Sequence, residues 1–283
     1  MVLPSGEITM LAMSIETMPL YVDIERVHNE VRALGRGEDG PLQPTELFAF
    51  DQFHYYGTDA VESAVRRLGL DSTSHVLEIG SGIGGPARYL AHEAGCRVTA
   101  LELQPSLHQI AARLTDRCGL SDRVTHVCGD ALTYPLPQDA FDAVVSWLAI
   151  HHIPERPRLL SRCADALRAG GHIYIEDLYR RAPFAASDLS DVARTIFGVT
   201  LTSADEYVRE LQAAGFIDAG ATDMTSDWAA FCDARVAAWR GARDRQVRVH
   251  GEATYVRLER FFSTVARLFQ SGSLGGLCLI GKK

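Results

Sequence analysis

His75-Val76-Leu77-Glu78-Ile79-Gly80-Ser81-Gly82-Ile83-Gly84-Gly85-Pro86 is the run on which the reading of this chain turns. An apolar stretch of strand length ends in a cluster of glycines, and a helical pattern follows from Pro86 to Ala94. Glycines admit positive φ and let a ligand come close to the backbone. Pro86 suits the first turn of a helix, where its missing N–H costs nothing. The free N–H groups of that turn give the bend a positive rim. Gly80, Gly82 and Gly85 satisfy G-x-G-x-x-G, and Gly80, Gly82 and Gly84 satisfy G-x-G-x-G. Glu78 separates the two readings. A carboxylate two residues before the first glycine repels a pyrophosphate and suits a ligand with ammonium and sulfonium groups.

At this run the sequence resembles the class I S-adenosylmethionine-dependent methyltransferases, whose first motif reads E/D-x-G-x-G-x-G. The resemblance covers roughly residues 45 to 283 and is strongest from Val76 to Asp177. It implies an α/β fold, a doubly wound seven-stranded Rossmann-like sheet with the last strand antiparallel, and helical cap insertions. On that reading residues 1–57 form an N-terminal helical lid. Residues 58–283 form the cofactor-binding domain, with acceptor-pocket inserts at 178–203 and 227–270.

The pattern beyond the bend agrees with such a sheet. Strands over 97–102, 124–128, 141–148 and 172–176 alternate with helices over 106–118 and 158–169. This spacing predicts a mostly parallel doubly wound sheet with its ligand beyond the carboxyl ends of the strands. A helix over 204–214, a strand over 216–224, helical periodicity from about 227 to 269 and an apolar strand over 274–281 complete the chain. Before the bend, residues 1 to about 19 show no period and read as a mobile lead. Apolar residues recur at helical spacing from Tyr21 to Leu34, an aromatic-rich stretch runs from Leu47 to Thr58, and a helix is predicted over 58–68.

Composition excludes several classes. An apolar fraction of 47% and a charged fraction of 23% over 283 residues suit one large globular domain. A net charge of −8 argues against a nucleic-acid surface. No apolar run has membrane-spanning length, and the first twenty residues carry no Lys or Arg, so a cytoplasmic protein without a membrane span is expected. The scattered cysteines, with no C-x-x-C, read as reduced structural thiols. The sequence leaves a homodimer open.

Site residues follow from the strand ends. Glu102 ends the second strand 24 positions after Glu78, where a carboxylate accepts ribose hydroxyls. The resemblance extends the S-adenosylmethionine site to Gly80, Ser81, Gly82 and Gly84 of the bend, and to Leu103 and Gln104 after Glu102. It adds Gly129, Asp130 and Ala131 at the adenine, and Trp147 where the fourth strand passes the methionine part. Tyr55 is the expected lid hydroxyl for the cofactor carboxylate. The segments Asp51–Gly57, Glu78–Leu90 and Gly272–Gly276 are similar to the branch near sarcosine/dimethylglycine, phosphoethanolamine and terpenoid methyltransferases. Leu148 stands where the glycine-type enzymes of that branch carry an acid, which disfavours an ammonium substrate.

Methyl transfer from a sulfonium is an in-line displacement that depends on positioning and on excluding water. An amine or hydroxyl acceptor must also lose a proton. His152, just past the fourth strand, is the first candidate base, followed by Tyr56 and then His151, which points away if the segment stays extended. Asp177 and Tyr179 are placed to face the acceptor, a small molecule. Trp228, Phe231, Trp239, Tyr255, Phe261 and Phe262 suit a roof over it. Arg180 and Arg181 suit a carboxylate or phosphate. No metal-ligand spacing is present. Two other readings remain open: a nicotinamide-dependent oxidoreductase, permitted by Gly80, Gly82 and Gly85, and a non-catalytic S-adenosylmethionine-binding subunit.

Overall fold

The structure, a computed structural model, describes residues 15, 18–22, 24–198 and 201–283. The expected lead thus lies largely outside the described residues. The periodicity read as one helix over 21–34 forms two, α1 (Pro19–Val22) and α2 (Arg26–Ala33), followed by α3 (Pro44–Leu47). The aromatic stretch after α3 is irregular and ends at Tyr56, whose φ of 57° precedes α4 (Gly57–Leu68).

The core then alternates as its periodicity predicts. It runs β1 (His75–Ile79), α5 (Gly85–Glu93), β2 (Arg97–Glu102), α6 (Pro105–Arg117), β3 (Val124–Cys128) and β4 (Phe141–Trp147). After β4 come a single 3-10 turn, Ile150–His152, then α7 (Arg156–Ala166) and β5 (Leu167–Arg180). Strand β5 is longer than the expected 172–176, because both its ends find partners: Leu167 pairs with Phe141 and Arg180 with Leu274. The insert beyond it folds in part as α8 (Ala186–Arg194), before α9 (Ala204–Ala213) and β6 (Ile217–Asp223). The long helical region is three helices, α10 (Thr225–Gly241), α11 (Arg243–His250) and α12 (Glu252–Gln270), with Gly251 at φ 86° turning the chain between the last two. Strand β7 (Leu274–Lys282) ends the sheet.

Seven strands among the described residues form one sheet in the order β3-β2-β1-β4-β5-β7-β6, with β7 antiparallel to both β5 and β6. This is the expected architecture, with the last strand inserted beside the fifth. The apolar residues of β1, β4 and the Ile173–Tyr179 part of β5 are buried, as strands covered on both faces require. Gly275 and Gly276 keep β7 bare where the helical cover sits down. A Cβ on Gly275 would lie 2.3 Å from the Tyr179 ring, and one on Gly276 would lie 2.2 Å from Trp228. Among the described residues no helix is long and apolar enough to cross a membrane, and all six cysteines are free.

Candidate active site

The order β2-β1-β4 places the switch of direction at β1 and β4, and two adjoining cavities open at the carboxyl ends there. They measure about 790 and 850 Å³ with the solvent at their mouths, and both are lined by Tyr21, Gly80, Gly82, Ala149 and His152. The floor is the glycine bend. Gly80, at φ 72°, has no room for a side chain, since a Cβ would lie 2.3 Å from that of Ala149. Gly82, at φ 54°, faces open space instead.

The second cavity is lined by Leu101, Glu102, Leu103, Gln104, Gly129, Asp130 and Ala131 together with the bend. Glu102 is fixed by the backbone. Its Oε2 accepts the Gly82 N–H at 2.8 Å and its Oε1 accepts the Gln104 N–H at 2.9 Å. Burial raises its pKa against the pull of those donors. Asp130 is held likewise, its Oδ1 accepting the Leu132 N–H at 2.8 Å.

The first cavity contains Glu78, Ser81, Trp147, Asp51, His54, Tyr55, His151 and apolar groups from the cover. Glu78 is buried, and burial pushes its carboxyl well above the usual range against the attraction of Arg88. Its Oε2, the Ser81 hydroxyl and the Trp147 indole N–H are buried with no hydrogen-bond partner in the protein. Buried polar atoms of this kind call for a ligand. A cation beside Glu78 would offset the desolvation of its carboxylate.

The sequence did not single out what ties the segment before Gly57 to this floor. Arg88, fully buried on α5, donates from Nη2 and Nε to Asp51 Oδ2 at 2.9 and 3.3 Å. Its Nη1 reaches the Ala111 carbonyl and the Thr115 hydroxyl. Gly85 lets Asp51 come close, since a Cβ there would lie 2.3 Å from the Asp51 carbonyl. The signal was an arginine on the inward face of a short helix, where only a buried acid can accept it.

The aromatics of the segment before Gly57 divide. Tyr55 is buried, lines the first cavity and packs edge-on against Trp228 at 4.7 Å. Tyr56 is not part of either cavity wall: it is exposed, and its hydroxyl donates to the Asp227 carbonyl at 2.7 Å. Its left-handed backbone turns the ring outward onto Phe231. His54 stacks on Trp147 at 5.7 Å and bonds the Gln52 side chain and the Tyr55 carbonyl. Burial lowers its pKa from 6.5 to about 4. It is therefore neutral in the fold and protonated in the unfolded chain over that interval. Its contribution is complete above about pH 6.5 and lost as pH falls toward 4. Denaturant titrations at pH 7 and 4.5 are expected to differ by about 2 kcal/mol more for the wild type than for His54→Gln. An equal difference in the two proteins would remove His54 as the source.

The two histidines also stand differently from the extended-segment expectation. At Leu148, φ is 53° and the chain leaves the strand, so alternation no longer holds and both rings line the first cavity. His151 Nδ1 meets Asp177 Oδ1 at 2.5 Å, and Asp177 Oδ2 accepts the Tyr207 hydroxyl at 3.0 Å. His151 and Asp177 are both buried. His152 Nδ1 is 3.0 Å from the Phe197 carbonyl. Burial, then the neighbouring His151, holds its pKa well below the ordinary histidine value. Of the expected roof, Phe261 lines the cavity, while Trp228 is wholly buried against β7 and Trp239 stacks on Tyr255. Arg180 and Arg181 line neither cavity, and Arg235, not singled out in the sequence, lines the first.

A glycine-floored cleft with an acid on β1, a backbone-held acid on β2 and a seven-stranded sheet of this order is the arrangement of the class I methyltransferase fold. Residues 77–175 match the family model described as a methyltransferase domain. The chain is 28% identical over 215 residues to sarcosine/dimethylglycine N-methyltransferase of Halorhodospira halochloris, covering 75% of this chain and 76% of that protein. It is 29% identical over 172 residues to phosphoethanolamine N-methyltransferase 1 of Arabidopsis thaliana, which covers 61% of this chain but only 34% of the relative. Among solved structures, phosphoethanolamine N-methyltransferase 2 of Haemonchus contortus, bound to phosphomonomethylethanolamine and S-adenosylhomocysteine, superposes with a TM-score of 0.78. That match is 22% identical and covers 85% of this chain and 57% of the other.

Proposed function

We propose that this enzyme methylates a small molecule with an apolar body at an atom that must shed a proton, with His151 as the base. The observation that carries this reading is the pair of cavities meeting at Gly80, Gly82, Ala149 and His152, with His151 in the wall of the first and held from behind by the buried Asp177. S-adenosylmethionine, when bound, supplies an electrophilic methyl group on a sulfonium. Glu78 and Ser81 would hold its amino-acid end, Glu102 its ribose, and Asp130 with Ala131 its base.

The chain's own residues do the rest. Leu178, Ile196, Phe261 and Val265 cover the first cavity and exclude water, which strengthens the charge interactions within it. Asp177 fixes His151 with its proton on Nδ1, so the neutral ring carries its lone pair on Nε2. The same carboxylate offsets the positive charge that appears when Nε2 takes a proton. His152, with its depressed pKa, is the poorer base and is better suited to wall off the junction between the cavities. We further propose that the segments before Gly57 and the helices after Thr225 act as a lid and an acceptor cover. Both relatives are named for N-methylation, but Leu148 lends no negative charge to this cavity, which favours a hydroxyl or acidic carbon over an ammonium group.

Calorimetry tests the cofactor half directly. S-adenosylmethionine and S-adenosylhomocysteine are expected to bind, and NADH not. Labelled-methyl transfer to matched phenols, amines and isoprenoids then tests the acceptor half. Uptake of NADH with neither sulfur compound bound would overturn the reading.

A further inference from the structure

The cover of the first cavity holds a cation with no acid to match it. Arg235 on α10 lines this cavity, and among the described residues no carboxylate lies within ion-pair distance of it. Its Nε is buried without an acceptor. Its guanidinium is instead held by rings, 4.5 Å from the centre of Phe262, 5.0 Å from Tyr55 and 5.4 Å from Phe231. Its Nη2 is 4.0 Å from the Cys232 sulfur. Cation–π contacts place a guanidinium while leaving its planar N–H fork for an oxyanion.

The other charges nearby are already matched. Asp51 is paired with Arg88, and Glu78 is the acid left for a bound ammonium. Arg235 is absent from the lining of the second, nucleoside cavity. We propose that Arg235 is the anion-binding residue of the acceptor site, so that the acceptor is an amphipathic acid. Its carboxylate meets the Arg235 fork, and its apolar body lies along Leu178, Ile196, Phe261 and Val265 toward His151. This rests on the methyltransferase reading above and narrows its substrate class. The cofactor also carries a carboxylate, so the test must separate the two anions.

Wild-type protein, Arg235→Met and Arg235→Lys are saturated with S-adenosylhomocysteine and titrated with four probe pairs. These are benzoate, cinnamate, 2-naphthoate and 4-phenylbutanoate, each against its primary amide. At least one acid is expected to bind the wild type about tenfold more tightly than its amide, the size expected for a charge-assisted hydrogen-bonded pair. That preference is expected to vanish in Arg235→Met and to survive in part in Arg235→Lys. Affinity for S-adenosylhomocysteine is expected to stay within about threefold of wild type, below one decade in Kd. The proposal is overturned if no acid beats its amide in the wild type, or if the preference persists in Arg235→Met. It is also overturned if Arg235→Met weakens S-adenosylhomocysteine while leaving 5′-methylthioadenosine unchanged, which would assign the arginine to the cofactor carboxylate. Binding of S-adenosylhomocysteine to the wild type reports separately on the methyltransferase reading.

Discussion

Asp177→Asn is expected to lower kcat by about 10²- to 10⁴-fold, the range that general acid–base catalysis contributes. The wild-type carboxylate has both oxygens engaged, one by His151 Nδ1 and one by the Tyr207 hydroxyl. Asparagine keeps the shape but replaces one acceptor oxygen with an NH₂ donor. If that donor faces His151, the ring must present a lone pair at Nδ1 and carry its proton on Nε2, the wrong tautomer for a base at the cavity. If it faces Tyr207, the hydroxyl loses its acceptor, and the imidazolium still lacks a counter-charge. His151→Ala is expected to cost a similar factor, and the double variant little more than either alone, because the two act as one unit. Tyr207→Phe, which removes one bond to Asp177, is expected to cost about tenfold, near the value of a single hydrogen bond. His152→Ala should cost less than His151→Ala. The decisive measurements are single-turnover rates on the methyl acceptor and the ¹⁵N shifts of His151, which report its tautomer independently of activity. Turnover within about threefold of wild type in both Asp177→Asn and His151→Ala, far short of a base's contribution, would exclude the pair from proton removal.

Why His151 rather than His152 is the proposed base was not legible in the sequence. The histidines are adjacent, and which one faces the acceptor depends on whether the strand continues through them. Leu148 breaks the strand with a left-handed backbone, which no local signal in Trp147-Leu148-Ala149 announces. The partner of His151 lies on β5, 26 residues away, and the two meet only because β4 and β5 pair in parallel. By contrast, the bend and β1 to β4 were readable, because glycines, strand-end acids and alternating periods are local and each constrains the backbone directly. Segment boundaries moved where tertiary partners intervened. The C-terminal helical region stayed helical yet broke at Ala242 and at Gly251, and the aromatic stretch before Gly57 took its shape from Arg88 and the sheet rather than from its own pattern.

Arg235 shows the same limit from the other side. An arginine on a helix among apolar residues reads as solvated, with its stem on the core. Only the absence of a carboxylate near its buried Nε, visible once three aromatic rings have closed around it, makes it a candidate for the acceptor. Charges matched within the chain, such as Asp51 with Arg88, hold the segment before Gly57 to α5. The unmatched buried groups that line the first cavity, Glu78 Oε2 and the Ser81 hydroxyl among them, mark where a ligand belongs.

Glu102→Ala is expected to raise the dissociation constant for S-adenosylhomocysteine about 100-fold, the loss of two hydrogen bonds to a charged group. Both carboxylate oxygens are oriented before any ligand arrives, by the N–H groups of Gly82 and Gln104. The remaining lone pairs are therefore aimed without ordering cost, which is what makes a buried acceptor effective. Truncation does two things at once. It removes the proposed acceptors for the ribose hydroxyls, and it leaves the Gly82 N–H without its partner in the floor of the site. The two contributions separate in a cycle with 2′-deoxy-S-adenosylhomocysteine. If Glu102 binds the ribose, the deoxy compound binds the wild type more weakly than the parent does, and Glu102→Ala binds the two equally. Glu102→Gln, which keeps one acceptor oxygen, should fall between. Should the alanine variant lose affinity for both compounds by the same factor that deoxygenation leaves untouched, Glu102 shapes the glycine bend and does not touch the ribose. An unchanged constant in Glu102→Ala would remove β2 from the cofactor site altogether.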